Sequence, residues 1–309
     1  MAGGGDYTAL GLQQDKNKGC HIPGGLVGVD GLPHFSQPCD DTMVAVDLGE
    51  GRTALAVKAG SYHNCALLDN NRVKCWGSND KGQLGLGDSA YRVGSDDGEM
   101  GDDLPYVDLG SVEGVPLTAT AIAVSKKTSC ALLLNKRVKC WGRTPLGRIV
   151  PEEDIVKYQW TSIGRYAGFM GDELPYVDLG DDPVADIECA EDTCCAVFEN
   201  GRSKCWGKND GGLGAVDPSS NDDEPMRNTF QWAVSRVPFT ELGPGSEVTQ
   251  ILPHERGGCA LLSDGRVKCW GQCPFSPVLH RRLSKRAHAP RLQGKENGTA
   301  TYPDGSARR

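Results

Sequence analysis

Aromatic side chains make up only 6% of this sequence, and no stretch approaches the ~18 to 20 consecutive apolar residues that a membrane-spanning helix requires. A helical membrane protein is thereby excluded. The first twenty residues, MAGGGDYTALGLQQDKNKGC, have neither a basic start nor an apolar stretch of ~7 to 15 residues, so no secretory signal is visible. On that ground the chain reads as cytoplasmic. Catalytic patterns are missing as well: no nucleophile with a base and an orienting acid, no paired carboxylates, no phosphate-cradling glycine loop opening a helix. There is no C-x2-C knuckle, and His21, His34 and His254 lack metal-ligand spacing. The sequence therefore predicts a protein that is not an enzyme, with no catalytic, cofactor-binding or metal-ligating residues and no cofactor.

What is abundant is glycine, 41 residues, with 18 prolines and 13 cysteines in 309. One pattern occurs four times: CALLDNNRVKCWG (65 to 77), CALLLNKRVKCWG (130 to 142), CAVFENGRSKCWG (195 to 207) and CALLSDGRVKCWG (259 to 271). The first cysteines are 65, 65 and 64 residues apart. Such a period marks one supersecondary unit, repeated, that buries its core only against its neighbours.

Each copy reads as a β-hairpin in which an apolar run meets turn residues and then a second run. Glu199-Asn200-Gly201 and Ser263-Asp264-Gly265 fit a three-residue loop that ends in the left-handed region. Asn71 and Lys136 take that last position in the first two copies, which makes the Lys136 hairpin the most strained. Two further strands are expected ahead of each hairpin. One comes from MVAVDLG (43 to 49), LPYVDLG (104 to 110), LPYVDLG (174 to 180) and VPFTELG (237 to 243). The other comes from ALAV (54 to 57), AIAV (121 to 124), VADIECA (184 to 190) and VTQIL (248 to 252). The expected fold is all-β, a propeller-like array of about four four-stranded antiparallel blades, an incomplete ring. The expected divisions are an irregular extension over 1–42, repeats over 43–103, 104–173, 174–236 and 237–279, and a basic disordered tail over 280–309.

The three-residue turn sets Cys65 opposite Cys75, Cys130 opposite Cys140, Cys195 opposite Cys205 and Cys259 opposite Cys269. Opposed residues on antiparallel strands lie ~4.5 to 5.5 Å apart at Cα, within disulfide range. The pairs are disulfide candidates, and the other reading is small buried thiols. Disulfides would imply an oxidising, secretory or extracellular setting and hence a truncated N-terminus, against the cytoplasmic reading. Cys20, Cys39, Cys189, Cys194 and Cys273 are left over, an odd number. Trp76, Trp141, Trp206 and Trp270 share one repeat position, which predicts a packing role. Gly77, Gly142, Gly207 and Gly271 follow them where a backbone turns or approaches closely.

The stretch Gly60-Ser61-Tyr62-His63-Asn64-Cys65-Ala66-Leu67, with Val73, Trp76-Gly77, Asn79 and Gly82-Gln83-Leu84-Gly85-Leu86-Gly87-Asp88, resembles the regulator of chromosome condensation repeat. The resemblance covers roughly residues 43 to 273 and weakens along the chain: Gly60 and His63 give way to Ser125 and Thr128, then Ala190 and Thr193, then His254 and Gly257. It implies a propeller, usually of seven blades. It implies a protein–protein interaction module or guanine-nucleotide exchange on a small GTPase. A secreted, disulfide-stapled adhesive or structural repeat protein is the remaining alternative.

Charge divides the chain. Its net charge is −8; from His280 onward eight basic residues face two acidic ones, +6, which leaves −14 on residues 1 to 279. An acidic body repels phosphates, so nucleic acid is a partner only for the basic tail, which a membrane surface could also attract. The protein partner itself is unknown from the sequence. The acidic loops SDDGEMGDD (95 to 103) and DPSSNDDE (217 to 224) read as solvated links between blades. The insert from Arg148 to Met170, with Tyr158, Trp160, Tyr166 and Phe169, reads either as a cover over a blade face or as a private binding surface.

Overall fold

A computed structural model describes residues 45–88, 90–143, 162–208, 212–215 and 234–271. The extension over 1–42, the basic tail, the loop at 217–224, Cys20, Cys39, Cys273, His21, His34, Tyr158 and Trp160 lie outside those residues. Four antiparallel sheets follow one another in sequence order. The first holds β1 (Ala54–Ala59), β2 (His63–Leu68), β3 (Val73–Ser78) and β4 (Arg92–Val93). A small ribbon of β5 (Ser111–Val112) and β6 (Val115–Pro116) leads to the second sheet, β7 (Ala119–Val124), β8 (Thr128–Leu133) and β9 (Val138–Gly142). The third is β10 (Val184–Ala190), β11 (Thr193–Phe198) and β12 (Ser203–Gly207), and the fourth β13 (Val248–His254), β14 (Gly257–Leu262) and β15 (Val267–Gly271). This is the propeller-like array of antiparallel blades that the repeats predict. Among the described residues no helix is long and apolar enough to cross a membrane.

The hairpin turns form for reasons legible in their residues. Asn71, Lys136, Gly201 and Gly265 have φ of 59°, 65°, 74° and 80°. In each copy the preceding Asn70, Asn135, Asn200 or Asp264 accepts, through its side-chain oxygen, the backbone N–H two residues on, at 3.0 to 3.2 Å. The first strand of every sheet carries a register shift at one site: Ala54/Ala56, Ala119/Ala121, Val184/Asp186 and Val248/Gln250. A β-bulge kept in all four copies is part of the unit.

One expectation is corrected. The LPYVDLG-type segments do not open their own sheets as strands; they are irregular and flank the third strand of the sheet before them. Val107 N–H donates to Val73 O, Val177 to Val138 O and Thr240 to Ser203 O, each at 2.8 Å. Pro105, Pro175 and Pro238 supply no ladder donor there. Asp47 and Asp108 then bend the chain by accepting from the amides of Gly49 and Gly110, both at 2.9 Å. Four strands therefore form only in the first sheet among the described residues. In the second an isolated bridge, Gly142 to Ile163, sits where Gly77 pairs with Val93 in the first.

The core lies between sheets. Cys65, Leu67, Val73 and Cys75 on one face of the first sheet share a cluster with Ile122, Ala131, Leu133 and Trp141 of the second. The third sheet's Cys195, Val197 and Cys205 meet Ile251, Ala260, Leu262 and Trp270 of the fourth in the same way. At the junctions between successive sheets a cysteine face thus meets the tryptophan face of the next sheet.

Candidate functional site

The cysteine pairs sit in register, with Cys65↔Cys75, Cys130↔Cys140, Cys195↔Cys205 and Cys259↔Cys269 directly opposed. Leu68 N–H donates to Arg72 O at the hairpin mouth. Counting inward by alternation, the cysteines fall at a non-hydrogen-bonded position, where side chains approach most closely. All four pairs are disulfides, with Cα atoms 4.0 to 4.1 Å apart. A fifth, Cys189–Cys194, joins β10 to β11. Sequence reasoning missed it; the signal was two cysteines five apart around a tight turn. Cys130 Sγ lies 3.9 Å from both Cys189 Sγ and Cys194 Sγ across the junction of the second and third sheets. These three sulfurs are near enough to share a soft metal ion, but a metal binds thiolate, and the disulfides leave none.

Trp76, Trp141 and Trp206 are buried and Trp270 is half-buried. The glycine loop of one repeat is the seat of the next repeat's indole. Trp141 Nε1 donates to Gln83 O at 3.0 Å, and a Cβ on Gly85 would lie 2.7 Å from that nitrogen. Gly77, with φ of 110°, lets β3 pass Tyr62 O, which a Cβ would meet at 2.7 Å; Gly142, Gly207 and Gly271 share its positive φ.

Two recurring cations were not singled out by the sequence. The lysine before each Cys-Trp-Gly is a clamp on backbone carbonyls. Lys74 Nζ donates to Leu48 O (2.9 Å) and Gly101 O (2.7 Å), and Lys139 Nζ to Leu109 O (2.7 Å) and Gly171 O (3.1 Å). Lys204 Nζ reaches Leu179 O, Val234 O and Ser235 O, and Lys268 Nζ reaches Leu242 O and Ser246 Oγ. Burial pushes Lys139 and Lys204 below the ordinary lysine range. Two residues earlier, Arg72, Arg137 and Arg202 lie over the rings of Tyr106, Tyr176 and Phe239 at 3.9, 3.6 and 3.2 Å. The arginines pin each irregular segment to the sheet before it, and the lysines tie the same kind of segment to the sheet after it. The signal was there: both cations recur in all four copies.

His63 is buried at the first junction, its Nε2 2.8 Å from Ser129 Oγ. Ser129 Oγ donates its own proton to Gln83 O at 2.8 Å, so it accepts from the Nε2–H tautomer. Nδ1 has no partner, and burial pulls the imidazole from 6.5 down to about 4 against the attraction of Asp80. This serine–histidine pair lacks both an orienting acid and an available hydroxyl proton, so its geometry serves packing and not nucleophilic chemistry. In the acidic 95–103 loop, Glu99 Oε2 accepts the amides of Gly94, Ser95 and Asp96 at 2.8, 2.9 and 2.9 Å. Burial opposes its ionisation, but those amides hold it below the usual carboxylate range.

One group of surface residues among the described ones is not part of the repeated pattern. Tyr62 and Tyr166 are exposed, and the charges beside them are linked through Asp80. Lys127 Nζ lies 2.6 Å from Asp80 Oδ2 and 5.7 Å from the Tyr62 ring centroid. Arg165 donates to Asp80 O at 3.0 Å and faces Tyr166 at 5.7 Å. Burial works against the Asp80 carboxylate, yet bonds from Lys127 and Gln83 keep its pKa low. Part of the 148–170 insert, residues 162 to 170, therefore joins the loops of the first two repeats in one surface.

Residues 55–83 match the family model of the regulator of chromosome condensation repeat. Over 218 residues, 70% of the chain, the sequence is 27% identical to human "Probable E3 ubiquitin-protein ligase HERC4", and over 225 residues, 71% of the chain, 26% identical to "Ultraviolet-B receptor UVR8" of Arabidopsis thaliana. Those stretches span 17% and 42% of the relatives' own lengths. The crystal structure of human WBSCR16 superposes with a TM-score of 0.52 at 18% identity, covering 74% of this chain and 49% of that one, a likeness of fold.

Proposed function

We propose that this chain, a regulator of chromosome condensation repeat protein, is a non-catalytic protein–protein interaction module. The observation that carries the reading is a division of labour among its polar residues. The recurring lysines, the recurring tryptophans and the arginines of the first three copies are absorbed in joining sheet to segment and sheet to sheet. Among the described residues, Tyr62, Tyr166, Lys127 and Arg165 around Asp80 form one surface group available to a partner. Tyrosine and arginine around a paired charge are the side chains over-represented where binding energy concentrates.

The test is capture of partners from the source cell with the wild-type chain and with Tyr62→Ala/Tyr166→Ala, followed by affinity measurement on each captured protein. Both tyrosines are exposed, so the variant keeps its melting temperature while affinity falls about tenfold or more. Unchanged affinity for every partner removes this surface from the proposal. Acceleration of nucleotide release from a small GTPase would replace the interaction reading with guanine-nucleotide exchange. The five disulfides support an oxidising working compartment as part of the same reading.

A further inference from the structure

The cysteine face of a sheet is sealed three times in this chain and left open once. Val73 and Val138 are 0% and 1% exposed where the next sheet covers them, whereas Val267, at the same repeat position in the fourth sheet, is 64% exposed. Leu261 beside it is 37% exposed where Leu67 and Leu132 are 4% and 2%. At the other end the first strand has the complementary defect. Val57 is 57% exposed where its repeat equivalents Ile122, Ile187 and Ile251 are 2%, 2% and 1%, each buried against the sheet before it. Ala54 and Ala59 are exposed with it, while their equivalents Ala119, Val124, Val184 and Cys189 are buried.

The geometry points to a second copy of this chain as the occupant: the open face of the fourth sheet receives the first strand of another copy's first sheet. The internal junctions say what fits. At the third junction the cysteine face of one sheet and the first strand, Ala-Leu pair and tryptophan of the next form one closed apolar cluster. At the tail end Leu261 and Val267 stand uncovered; at the head end Ala66, Leu68 and Trp76 are already buried with Met100 and Leu104, and it is the first strand, with Val57, Ala54 and Ala59, that stands uncovered. Because the two faces differ, the contact is heterologous, head to tail, and not a self-complementary one. It uses neither Tyr62 nor Tyr166, so it is independent of the proposed interaction surface. Exposed apolar faces of this kind on a sheet mark association sites.

The full chain, disulfides intact, is followed by sedimentation from low to high micromolar concentration as wild type, as Val57→Asp and as Val267→Asp. Both substitutions are at exposed positions, and circular dichroism checks that each variant stays folded. The wild type self-associates, and each variant alone does so about tenfold or more weakly, because a carboxylate cannot enter an apolar junction unpaired. An equimolar mixture of the two variants restores a single contact, since one supplies an intact tail and the other an intact head, and gives a dimer that does not grow. Three outcomes would overturn the inference. One is a monomeric wild type throughout the range, as expected where residues 272–309 or a different protein cover the face. Another is undiminished association of Val57→Asp alone, which means tail meets tail. The third is failure of the mixture to associate.

Discussion

The indole nitrogen of Trp141 donates to the backbone carbonyl of Gln83, 58 positions earlier, and thereby ties the second sheet to the glycine loop of the first. Trp76 and Trp206 occupy the same repeat position, but their Nε1 atoms are buried without a partner. Phenylalanine removes the donor and, at both buried sites, part of the ring, so each variant loses packing of about 1 to 2 kcal/mol. Trp141→Phe is expected to lose about 1 kcal/mol more than Trp206→Phe, the net worth of one hydrogen bond. Chemical denaturation of the two variants checks this, and equal losses would mean that the Gln83 contact contributes nothing.

Lys139 offers a second contrast. Its ammonium serves two carbonyls in a buried setting, so Lys139→Met leaves Leu109 O and Gly171 O without their charged donor. The expected loss is about 2 to 3 kcal/mol. Lys126, exposed and 3.9 Å from Glu191, is the control; Lys126→Met should stay within about 0.5 kcal/mol. Comparable melting temperatures for the two variants would remove the clamp from the account of how the irregular segments are held.

Acid should act on His63 before it reaches most carboxylates. The imidazole titrates at 6.5 when unfolded and about 4 when folded. As pH falls from 6.5 toward 4 the unfolded chain takes up a proton that the folded chain refuses, and stability drops by about 3 kcal/mol in all. Above 6.5 both states are neutral and the contribution is flat. Unfolding free energy measured against pH, wild type minus His63→Gln, should show this slope only between those two values; a flat difference would mean that His63 charges in place.

Lys136 holds φ of 65° without being glycine. Lys136→Gly relieves that conformation but adds chain entropy to the unfolded state and breaks an exposed ion pair with Glu199 at 3.1 Å. The balance is a gain of about 0.5 to 1 kcal/mol, readable as a higher melting temperature. A loss would show that the turn is better served by the lysine contacts than by backbone freedom.

The compartment is open to direct measurement. Thiols are blocked at lysis, the protein is then reduced and alkylated again, and its intact mass is compared. Five disulfides predict ten newly labelled cysteines. Full labelling before reduction would return the pairs to buried thiols and the protein to a reducing compartment.

The features most legible in the sequence were those written four times with nothing competing. The hairpins, the opposed cysteines and the tryptophan position needed only a period and a turn rule. MVAVDLG and LPYVDLG misled because their apolar alternation is that of a strand, while what decides their shape lies elsewhere. Tyr106 and Tyr176 are held from outside by Arg72 and Arg137, and each prolyl nitrogen breaks the ladder. The lysine clamps went unread because a lysine beside a cysteine on a strand looks solvent-facing until the carbonyls around it are in place. The surface around Asp80 joins residues 62, 80, 127 and 165, far apart in sequence and not repeated, so no periodic signal marks it.

Three of the hairpin disulfides are sealed between sheets, whereas Cys269 faces solvent. A dissolved reductant therefore meets them under different kinetic regimes. At Cys259–Cys269 the rate follows reductant concentration from the start. At Cys65–Cys75, Cys130–Cys140 and Cys195–Cys205 it is capped by how often a junction parts, so the order in which sulfurs appear is a recording of which seam of the folded chain breathes first.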